Sequence, residues 1–373
     1  MKRIDALFAL VRAGLWEETP PTGWSAIFEG ATPEDWLSLY QMASSQALLG
    51  LCFDGLNRLS AAQRPERPLY LKWAAQVAKI EQLNQRLNAM AQRVITLAHT
   101  HGMHPVLLKG QAIAACYPRP LHRQCGDIDL FVGKTDAPRL VQLLVEAGAQ
   151  KEHEESYKHS CVEWEGVHIE IHRMVGRLNA PAANRRMQRW VAQWFPAAIG
   201  QREAYPVPAS DFELFFIFQH AFMHFLNSGV GLRQLCDWAR LIHVQQGAVE
   251  RDTFEQQLRQ MGLLRAAQAF AGLMVRGLHL PLEQIPFTLK RHPQLEAMLI
   301  DEILQTGNFG QWDRRIPPRP MGYWSGKWHT FTRALKRCLR LMRFAPAEAL
   351  CYPFLLIENW LTVQSKRLIH PSS

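Results

Sequence analysis

The sequence predicts an α+β fold, in which a small mixed β-sheet is flanked by helical regions on either side. Segments with the alternating pattern of β-strands lie between residues 101 and 205, whereas the flanking segments carry the apolar spacing of helices. With 373 residues, 48% of them hydrophobic, the chain is long enough for more than one module. We therefore divide it into an N-terminal helical region (1–100), a strand-containing core (101–205) and a C-terminal helical region (206–373).

The first hundred residues are predicted to be helical throughout. Thr32 is expected to cap a helix that starts at Pro33 and runs to about Leu48, because threonine accepts a backbone hydrogen bond there and proline suits the first helical turn. A longer helix is expected from about Leu69 to Thr100, a stretch without proline. We assign both helices a packing role.

A glycine turn near the start of the core has the features of a phosphate site. Residues 106–108 predict a strand, Lys109 and Gly110 a turn, and residues 111–117 a short helix. A glycine at a helix N-terminus lets backbone N–H groups approach phosphate, and Lys109 adds a positive charge. Arg123, further along the chain, is a second candidate phosphate ligand.

The segment 121–132, Leu-His-Arg-Gln-Cys-Gly-Asp-Ile-Asp-Leu-Phe-Val, predicts a strand with two carboxylates on one face. Asp127 and Asp129 alternate with apolar residues, so their side chains project to the same side, roughly 7 Å apart. That spacing suits one divalent cation, or two that lie about 3.5–4 Å apart. The simpler interpretation is a half-exposed strand with an acidic solvent face, since Asp-x-Asp is a short pattern.

Residues 161–172 predict a β-hairpin that turns near Gly166. In its second strand, apolar residues alternate with His168, Glu170 and His172. Glu170 is therefore the candidate third carboxylate; Glu163 and Glu165 are its rivals, and we expect both to flank the site or to face water. His172 is interpreted either as a catalytic or as a structural histidine.

These motifs together resemble the polymerase-beta-like nucleotidyltransferase superfamily, and more narrowly the bacterial group of uncharacterised nucleotidyltransferases. The resemblance rests on Leu-Leu-Lys-Gly-Gln at 107–111, on Arg123 and on Asp-Ile-Asp-Leu-Phe-Val at 127–132. It implies an enzyme that transfers a nucleoside monophosphate from a nucleoside triphosphate such as ATP to an acceptor hydroxyl, with two Mg²⁺ ions or with Mn²⁺. Asp127, Asp129 and Glu170 would be the catalytic metal ligands, and Lys109, Gly110, Arg123 and Gly126 would bind the nucleotide.

The chain departs from the superfamily at the glycine turn. Many members carry Gly-Ser or Gly-Gly where this chain has Lys109-Gly110, so a serine hydroxyl is missing. We expect the charge of Lys109 to compensate for it. The missing serine also supports an alternative function, in which the protein keeps the nucleotidyltransferase fold as a non-catalytic binding or assembly module.

In the C-terminal region, two predicted helices resemble the helical half of the same group. His224 lies on a helix expected over residues 211–226, and Arg233 and Asp237 lie one turn apart on the next helix, where they can pair. We predict that these three residues and His172 line a substrate cleft between the core and the helices. A buried polar network that joins the two helices is the alternative. The resemblance leaves the acceptor open among a small hydroxylated molecule such as a sugar or antibiotic, an RNA 3′ end and a protein side chain.

The end of the chain is basic. Of the net charge of +9, residues 321–373 contribute eight Lys or Arg residues against two acids. A predicted helix carries basic residues on one side, at Arg333, Lys336, Arg337, Arg340 and Arg343. Such a helix could contact an anionic membrane or RNA phosphate through residues 327–343, but packing of its apolar face onto the protein is favoured.

The remaining composition predicts a cytoplasmic protein. Seven cysteines are widely spaced without a Cys-x-x-Cys pair, which argues against a zinc knuckle or a disulfide framework and indicates a reducing compartment. The N-terminus lacks a secretory pattern, and no apolar run approaches the 18 or so residues of a membrane span.

Overall fold

The computed structural model describes residues 1–152, 157–313, 315 and 320–369, with side chains described as far as residue 358 except at Tyr323. Its N-terminal region is helical, as predicted. The Thr32 side chain accepts a hydrogen bond from the Asp35 backbone N–H, so the predicted cap is confirmed. The helices are α1 (Arg3–Leu15), α2 (Pro33–Ser45), α3 (Leu49–Asn57) and α4 (Arg67–Thr100).

A five-stranded mixed sheet forms the centre of the fold. Its strands are β1 (Val106–Leu107), β2 (Ile128–Phe131), β3 (Gln150–Lys151), β4 (His159–Trp164) and β5 (Val167–His172). The strand order is β1-β2-β5-β4-β3. Strands β2 and β5 run parallel, and the other neighbouring pairs are antiparallel. The predicted α+β class and the hairpin that turns at Gly166 are both confirmed.

One face of the sheet is apolar and the other is polar. On the apolar face, Ile128 and Leu130 of β2 and Ile169 of β5 are buried against helix α4 and helix α6 (Gly133–Glu146), the latter lying in the crossover from β2 to β3. Alternation along the strands then turns Asp129 and Glu170 to the opposite face. Helix α5 (Gln111–Ala114), which follows the glycine turn, is shorter than predicted.

The rest of the chain is mainly helical and covers the polar face. A two-stranded sheet of β6 (Gly200–Arg202) and β7 (Tyr205–Val207) interrupts the helices, and local patterns did not predict it. Helix α8 buries six phenylalanines, at 212, 215, 216, 218, 222 and 225. The helices are α7 (Pro181–Trp194), α8 (Ser210–Asn227), α9 (Leu232–Val244), α10 (Arg251–Gln260), α11 (Leu264–Leu273), α12 (Pro293–Thr306), α13 (Tyr323–Leu341) and α14 (Pro346–Ile369).

Helices α13 and α14 pack together as a C-terminal hairpin, and the orientation of α13 corrects two expectations. Arg337 is buried, where it pairs with Glu302 and donates hydrogen bonds to backbone carbonyls of α8, so it does not belong to an exposed basic side. The apolar side of the helix, favoured above for packing onto the protein, includes Leu335, Cys338 and Leu339; the two leucines are exposed, whereas Cys338 is buried. The polar face of the helix therefore turns partly inward, where Arg337 and Arg340 both pair with Glu302.

The remaining expectations concern the segments near the C-terminus, membrane-spanning helices and the cysteines. The glycine- and proline-rich segment 307–322, whose composition predicts a loop, lies partly outside the described residues. The side chains of Lys366 and Arg367 also lie outside them. Within the described ranges, no helix is both long enough and apolar enough to cross a membrane. All seven cysteines are free thiols.

Candidate functional site

The polar face of the sheet brings the three predicted carboxylates together. Asp129 on β2 is in register with Glu170 on the adjacent parallel strand β5, so the two residues lie about 4.8 Å apart at the backbone and point to the same face. Asp127 lies just before the first residue of β2 and is partly exposed, whereas the Asp129 side chain is fully buried.

Lys109 lies between the two aspartates. Its Nζ atom is 3.1 Å from Asp129 Oδ2 and 3.9 Å from Asp127 Oδ2. Burial alone would lower the pKa of Lys109, but the charges of Asp129, Asp127 and Glu170 outweigh it and raise the pKa. The side chain is therefore an ammonium ion that offsets the mutual repulsion of the carboxylates.

His172 links Asp129 to Glu170. Its Nε2 atom lies 3.0 Å from Asp129 Oδ1 and 3.1 Å from Glu170 Oε2. Burial alone would lower the pKa of His172, but the two carboxylates raise it. Burial would in turn raise the pKa of Glu170, yet His172, His159 and Lys109 lower it to about 2. Glu170 is therefore an anion throughout the physiological pH range.

His159 belongs to the same cluster and was missed from the sequence. Its Nδ1 atom lies 3.4 Å from Glu170 Oε2, and its ring meets the His172 ring edge-on at 4.9 Å. The sequence prediction started the hairpin at Cys161, two residues too late. Because Trp164 pairs with Val167, extension of the same register would have placed His159 opposite His172.

The two rival carboxylates lie away from this cluster. Glu163 is exposed, and Glu165 forms an exposed ion pair with Arg93 at 2.8 Å. The expectation that they flank the site or face water is consistent with these positions.

The donor atoms fit a hard divalent cation. One ligand atom each from Asp129, Glu170 and His172 can be chosen so that all lie within 4.8 Å of one another. Carboxylate oxygens are the ligands that Mg²⁺ prefers, and imidazole nitrogen is acceptable to transition metals. Among the described residues, Asp127 lies outside this tight group, on the other side of Lys109. His172 is therefore a candidate ligand in addition to the three predicted carboxylates.

Two adjoining cavities open beside the carboxylates. Cavity 1 has a volume of about 430 Å³, and cavity 2 about 600 Å³. The wall that they share includes Lys109, Asp127, Glu170, His220 and Phe309. All four predicted nucleotide-binding residues line cavity 1, namely Lys109, Gly110, Arg123 and Gly126.

Arg123 is held by Asp237 in a buried two-point ion pair. The Nε–Oδ1 distance is 3.0 Å and the Nη2–Oδ2 distance is 2.7 Å. The Tyr117 hydroxyl also donates to Asp237 Oδ1, at 2.8 Å, and Arg233 Nη1 lies 3.7 Å from Oδ2. Burial alone would raise the pKa of Asp237, but the two arginines lower it. These residues form a buried polar network, and part of it lines cavity 1.

The structure does not bring the predicted cleft residues into one cavity. Arg233 and Asp237 line cavity 1, whereas His172 and His224 line cavity 2. Burial, together with the charges of Lys109, Lys158 and Arg233, lowers the pKa of His224 to about 4, so its ring is neutral at physiological pH. The prediction of a single cleft therefore corresponds to two cavities, since α9 lines cavity 1 alone whereas α8 lines both.

Residues distant in sequence complete both cavities. Asn308 lines cavity 1 and accepts hydrogen bonds from Gln234 at 3.0 Å and Arg233 at 3.4 Å, and Phe309 packs against His224 with ring centroids 4.6 Å apart. Helix α14 supplies Tyr352, Leu355 and Leu356 to cavity 2. No local sequence pattern indicates these contacts, since they depend on how the C-terminal helices fold back over the sheet.

In a comparison with family models, residues 32–278 match a family described as "Uncharacterised nucleotidyltransferase". The matched range contains every candidate site residue predicted from the sequence. It ends before helices α12 to α14. A comparison with curated proteins found no match.

Proposed function

The chain belongs to the uncharacterised nucleotidyltransferase family, and from that premise we propose that it transfers a nucleoside monophosphate from a nucleoside triphosphate to an acceptor hydroxyl. The main support is the position of Asp127 and Glu170 on the wall between two cavities, with Asp129 close to both. A transfer reaction needs donor and acceptor to meet at one set of charged groups. Two cavities that meet at the carboxylates suit this requirement.

Asp127, Asp129 and Glu170 are assigned as the catalytic carboxylates that hold Mg²⁺ or Mn²⁺. When bound, such ions lower the pKa of an attacking hydroxyl and neutralise charge on the triphosphate and the leaving pyrophosphate. His172 positions Asp129 and Glu170 through its contacts of 3.0 and 3.1 Å. Because the pKa of Glu170 is about 2, this carboxylate acts as an anionic ligand in preference to a general base.

Cavity 1 is assigned to the triphosphate. Its volume of about 430 Å³ lies in the range of small-ligand pockets. Lys109 and Arg233 bring positive charge to it, and Gly110 presents backbone without a Cβ atom. The Arg123 guanidinium contributes a further positive charge, whose position is fixed by Asp237.

Cavity 2 is assigned to the acceptor. Its volume of about 600 Å³ suits a small hydroxylated molecule, or a single terminal unit of a longer chain. Polar and apolar groups both line it, among them Asn179, Gln219, Asn227, Met223 and Tyr352. An RNA 3′ end and a protein side chain remain alternative acceptors, because either could place a single unit of a longer chain in this cavity.

Titration calorimetry with ATP, CTP, GTP and UTP, each with and without Mg²⁺, tests this proposal. We expect metal-dependent binding by the parent protein and its loss in the Asp127→Asn/Asp129→Asn double variant. In the double variant, the rate of nucleotidyl transfer should fall roughly a thousand-fold or more relative to the parent, because metal-ion catalysis supplies several kcal/mol of charge stabilisation. Asp301→Asn, which removes an exposed carboxylate of α12, is the matched control and should behave like the parent.

Unchanged metal-dependent binding by the double variant would refute the assignment of the carboxylates. A folded parent protein that binds none of the four triphosphates under either condition would favour the non-catalytic alternative. Circular dichroism of each variant establishes that it is folded.

A further inference from the structure

The outer surface of the C-terminal hairpin exposes bulky apolar side chains. Trp324 and Trp328 of α13 are 69% and 68% exposed, and Phe354 of α14 is 72% exposed. Positions 324, 328, 335 and 339 fall on one stripe of α13, because their spacings of four, seven and four residues correspond to whole turns. Positions 350, 354 and 357 form an equivalent stripe on α14. The other exposed members are Leu335, Leu339, Leu350 and Ile357.

A shallow groove of about 490 Å³ joins the two stripes. It is lined mainly by Trp324, Trp328, Phe331, Leu356 and Ile357. We call the two stripes together with this groove the outer face. Soluble proteins seldom expose so large an apolar patch unless it contacts another molecule.

A basic stripe runs beside the apolar stripe of α13. Lys336 and Arg343 are exposed beside it, whereas Arg333 is exposed on the far side of the helix, and residues 321–343 contain no Asp or Glu. With 3.6 residues per turn, Lys336 and Arg343 lie about a quarter-turn from the tryptophans. Apolar side chains flanked by basic ones are typical of helices that lie in the plane of a membrane interface.

We propose that the outer face docks on an anionic phospholipid surface. Trp324, Trp328 and the neighbouring leucines enter the boundary between headgroups and acyl chains, where tryptophan is favoured because its ring is amphipathic. Lys336 and Arg343 meet the phosphate groups, and each basic residue near such a surface adds to the attraction.

The chemistry of the outer face favours lipid over two other partners. A single-stranded nucleic acid stacks its bases on aromatic rings, whereas aliphatic side chains such as Leu335, Leu339 and Leu350 offer no stacking plane. A symmetric contact between two copies would bring the same basic stripe of each copy into proximity, and the like charges would repel. An anionic bilayer matches both the aliphatic surface and the charge.

Docking would also orient the candidate site. Helix α14 presents Phe354 and Ile357 on the outer face, and it presents Tyr352 and Leu355 to cavity 2. One helix therefore separates the proposed lipid surface from the proposed acceptor cavity. The lipid contact itself rests only on the outer face and is independent of the proposed transfer reaction.

Co-sedimentation of the full-length protein with sucrose-loaded vesicles tests the proposal. We expect binding to vesicles of phosphatidylcholine mixed with phosphatidylglycerol, little binding to phosphatidylcholine alone, and a decrease with added salt. The Lys336→Gln/Arg343→Gln variant should lower the partition coefficient roughly 30-fold, as two basic contacts with an anionic leaflet predict. The Trp324→Ala/Trp328→Ala variant should lower it as well.

Control variants remove equivalent exposed groups elsewhere. Leu71→Ala on α4 removes an exposed leucine, and Lys134→Gln on α6 removes an exposed lysine. Both should bind vesicles like the parent. Because all these positions are exposed, we expect each variant to keep the parent circular dichroism spectrum.

Three results would overturn the proposal. The first is the absence of binding to anionic vesicles at low salt by the folded parent. The second is vesicle binding that the tryptophan and arginine–lysine variants retain in full. The third is a parent protein that does not bind vesicles but binds a single-stranded RNA oligonucleotide, or forms a dimer in light scattering. In that case the same variants would abolish RNA binding or dimerisation.

Discussion

At the scale of single residues, Asp237 and Arg123 form a buried ion pair beside cavity 1. Their side chains are 6% and 5% exposed, respectively, so neither can turn to water if the other is removed. Breaking a buried ion pair from one side leaves an uncompensated charge, and that costs more than the intact pair contributes. The pair therefore acts mainly to fix the position of Arg123 beside cavity 1.

We predict that Asp237→Asn lowers the free energy of unfolding by about 3 kcal/mol, because it leaves Arg123 buried without a charged partner. Urea titration followed by circular dichroism measures this change. Arg93→Gln, which breaks the exposed pair with Glu165, is the comparison and should cost less than about 1 kcal/mol. Equal effects of the two substitutions would show that Asp237 is not shielded from water.

Some site residues were predictable because their signal is local. Asp127, Asp129 and Glu170 follow strand alternation, which requires only a few neighbouring residues. The partner of Asp237 was not predictable in this way. Helical spacing pointed to Arg233, four residues away, yet the shorter contacts come from Arg123, 114 positions earlier in the chain.

At the scale of elements, the glycine turn depends on a backbone conformation that glycine alone adopts easily. Gly110 has φ of 61° and ψ of −113°. A side chain there would add strain of about 1–3 kcal/mol. Because α5 spans only four residues, its helix dipole is weaker than the sequence led us to expect. Backbone approach and the charge of Lys109 are then the main contributions of this turn to phosphate binding.

We predict that Gly110→Ala lowers the free energy of unfolding by about 1–3 kcal/mol and weakens nucleotide binding about tenfold or more. Gly102→Ala is the matched control, because Gly102 also has a positive φ, 72°, but lies at the end of α4, outside both cavities. It should cost similar stability without changing the nucleotide affinity measured by calorimetry. Equal affinity of the Gly110→Ala variant and the parent would contradict the role of the turn.

Elements with a strong local pattern were predicted well, and their pairing was not. The α2 cap, the long α4 helix and the β4–β5 hairpin follow from capping, periodicity and the turn at Gly166. The parallel pairing of β2 with β5 joins strands that are not consecutive, so no local pattern specifies it. The three-residue strands β6 and β7 are too short to show any periodicity.

At the scale of the whole molecule, Glu348 joins the C-terminal hairpin to the segment before α7. Its carboxylate accepts hydrogen bonds from the backbone N–H groups of Asn179 at 2.6 Å and Ala180 at 3.2 Å. Burial raises the pKa of Glu348 to about 7, although these two hydrogen bonds act in the opposite direction. Attachment of the hairpin therefore depends on pH.

We predict that the free energy of unfolding falls as the pH rises from about 4.5 to 7, because ionised Glu348 is buried away from water. Over that window the unfolded chain, with an ordinary pKa of 4.5, releases the proton that folded Glu348 retains. The stabilisation is complete below pH 4.5 and is lost above pH 7, a change on the order of 3 kcal/mol. Urea titrations at pH 5 and pH 8 should show this loss in the parent relative to Glu348→Gln. A difference between the two proteins that is independent of pH would contradict it.

The division into three regions remains a prediction, and the candidate site draws on all of them. Cavity 1 includes Ala47 from the first region, Lys109 and Glu170 from the second, and Asp237 and Asn308 from the third. Local patterns identify segments one at a time, whereas a cavity depends on how those segments pack. The sequence therefore indicated the chemistry of the carboxylates better than the shape of the space around them.

The wall of cavity 2 has a consequence for how such proteins can diversify. The carboxylates lie within the range matched by the family, whereas Tyr352, Leu355 and Leu356 lie beyond residue 278. Substitutions in α14 can therefore change the cavity assigned to the acceptor without changing the residues assigned to the reaction. Natural selection can therefore act on the lining of cavity 2 separately from the carboxylates. A change of acceptor then need not lower the activity of the carboxylate site.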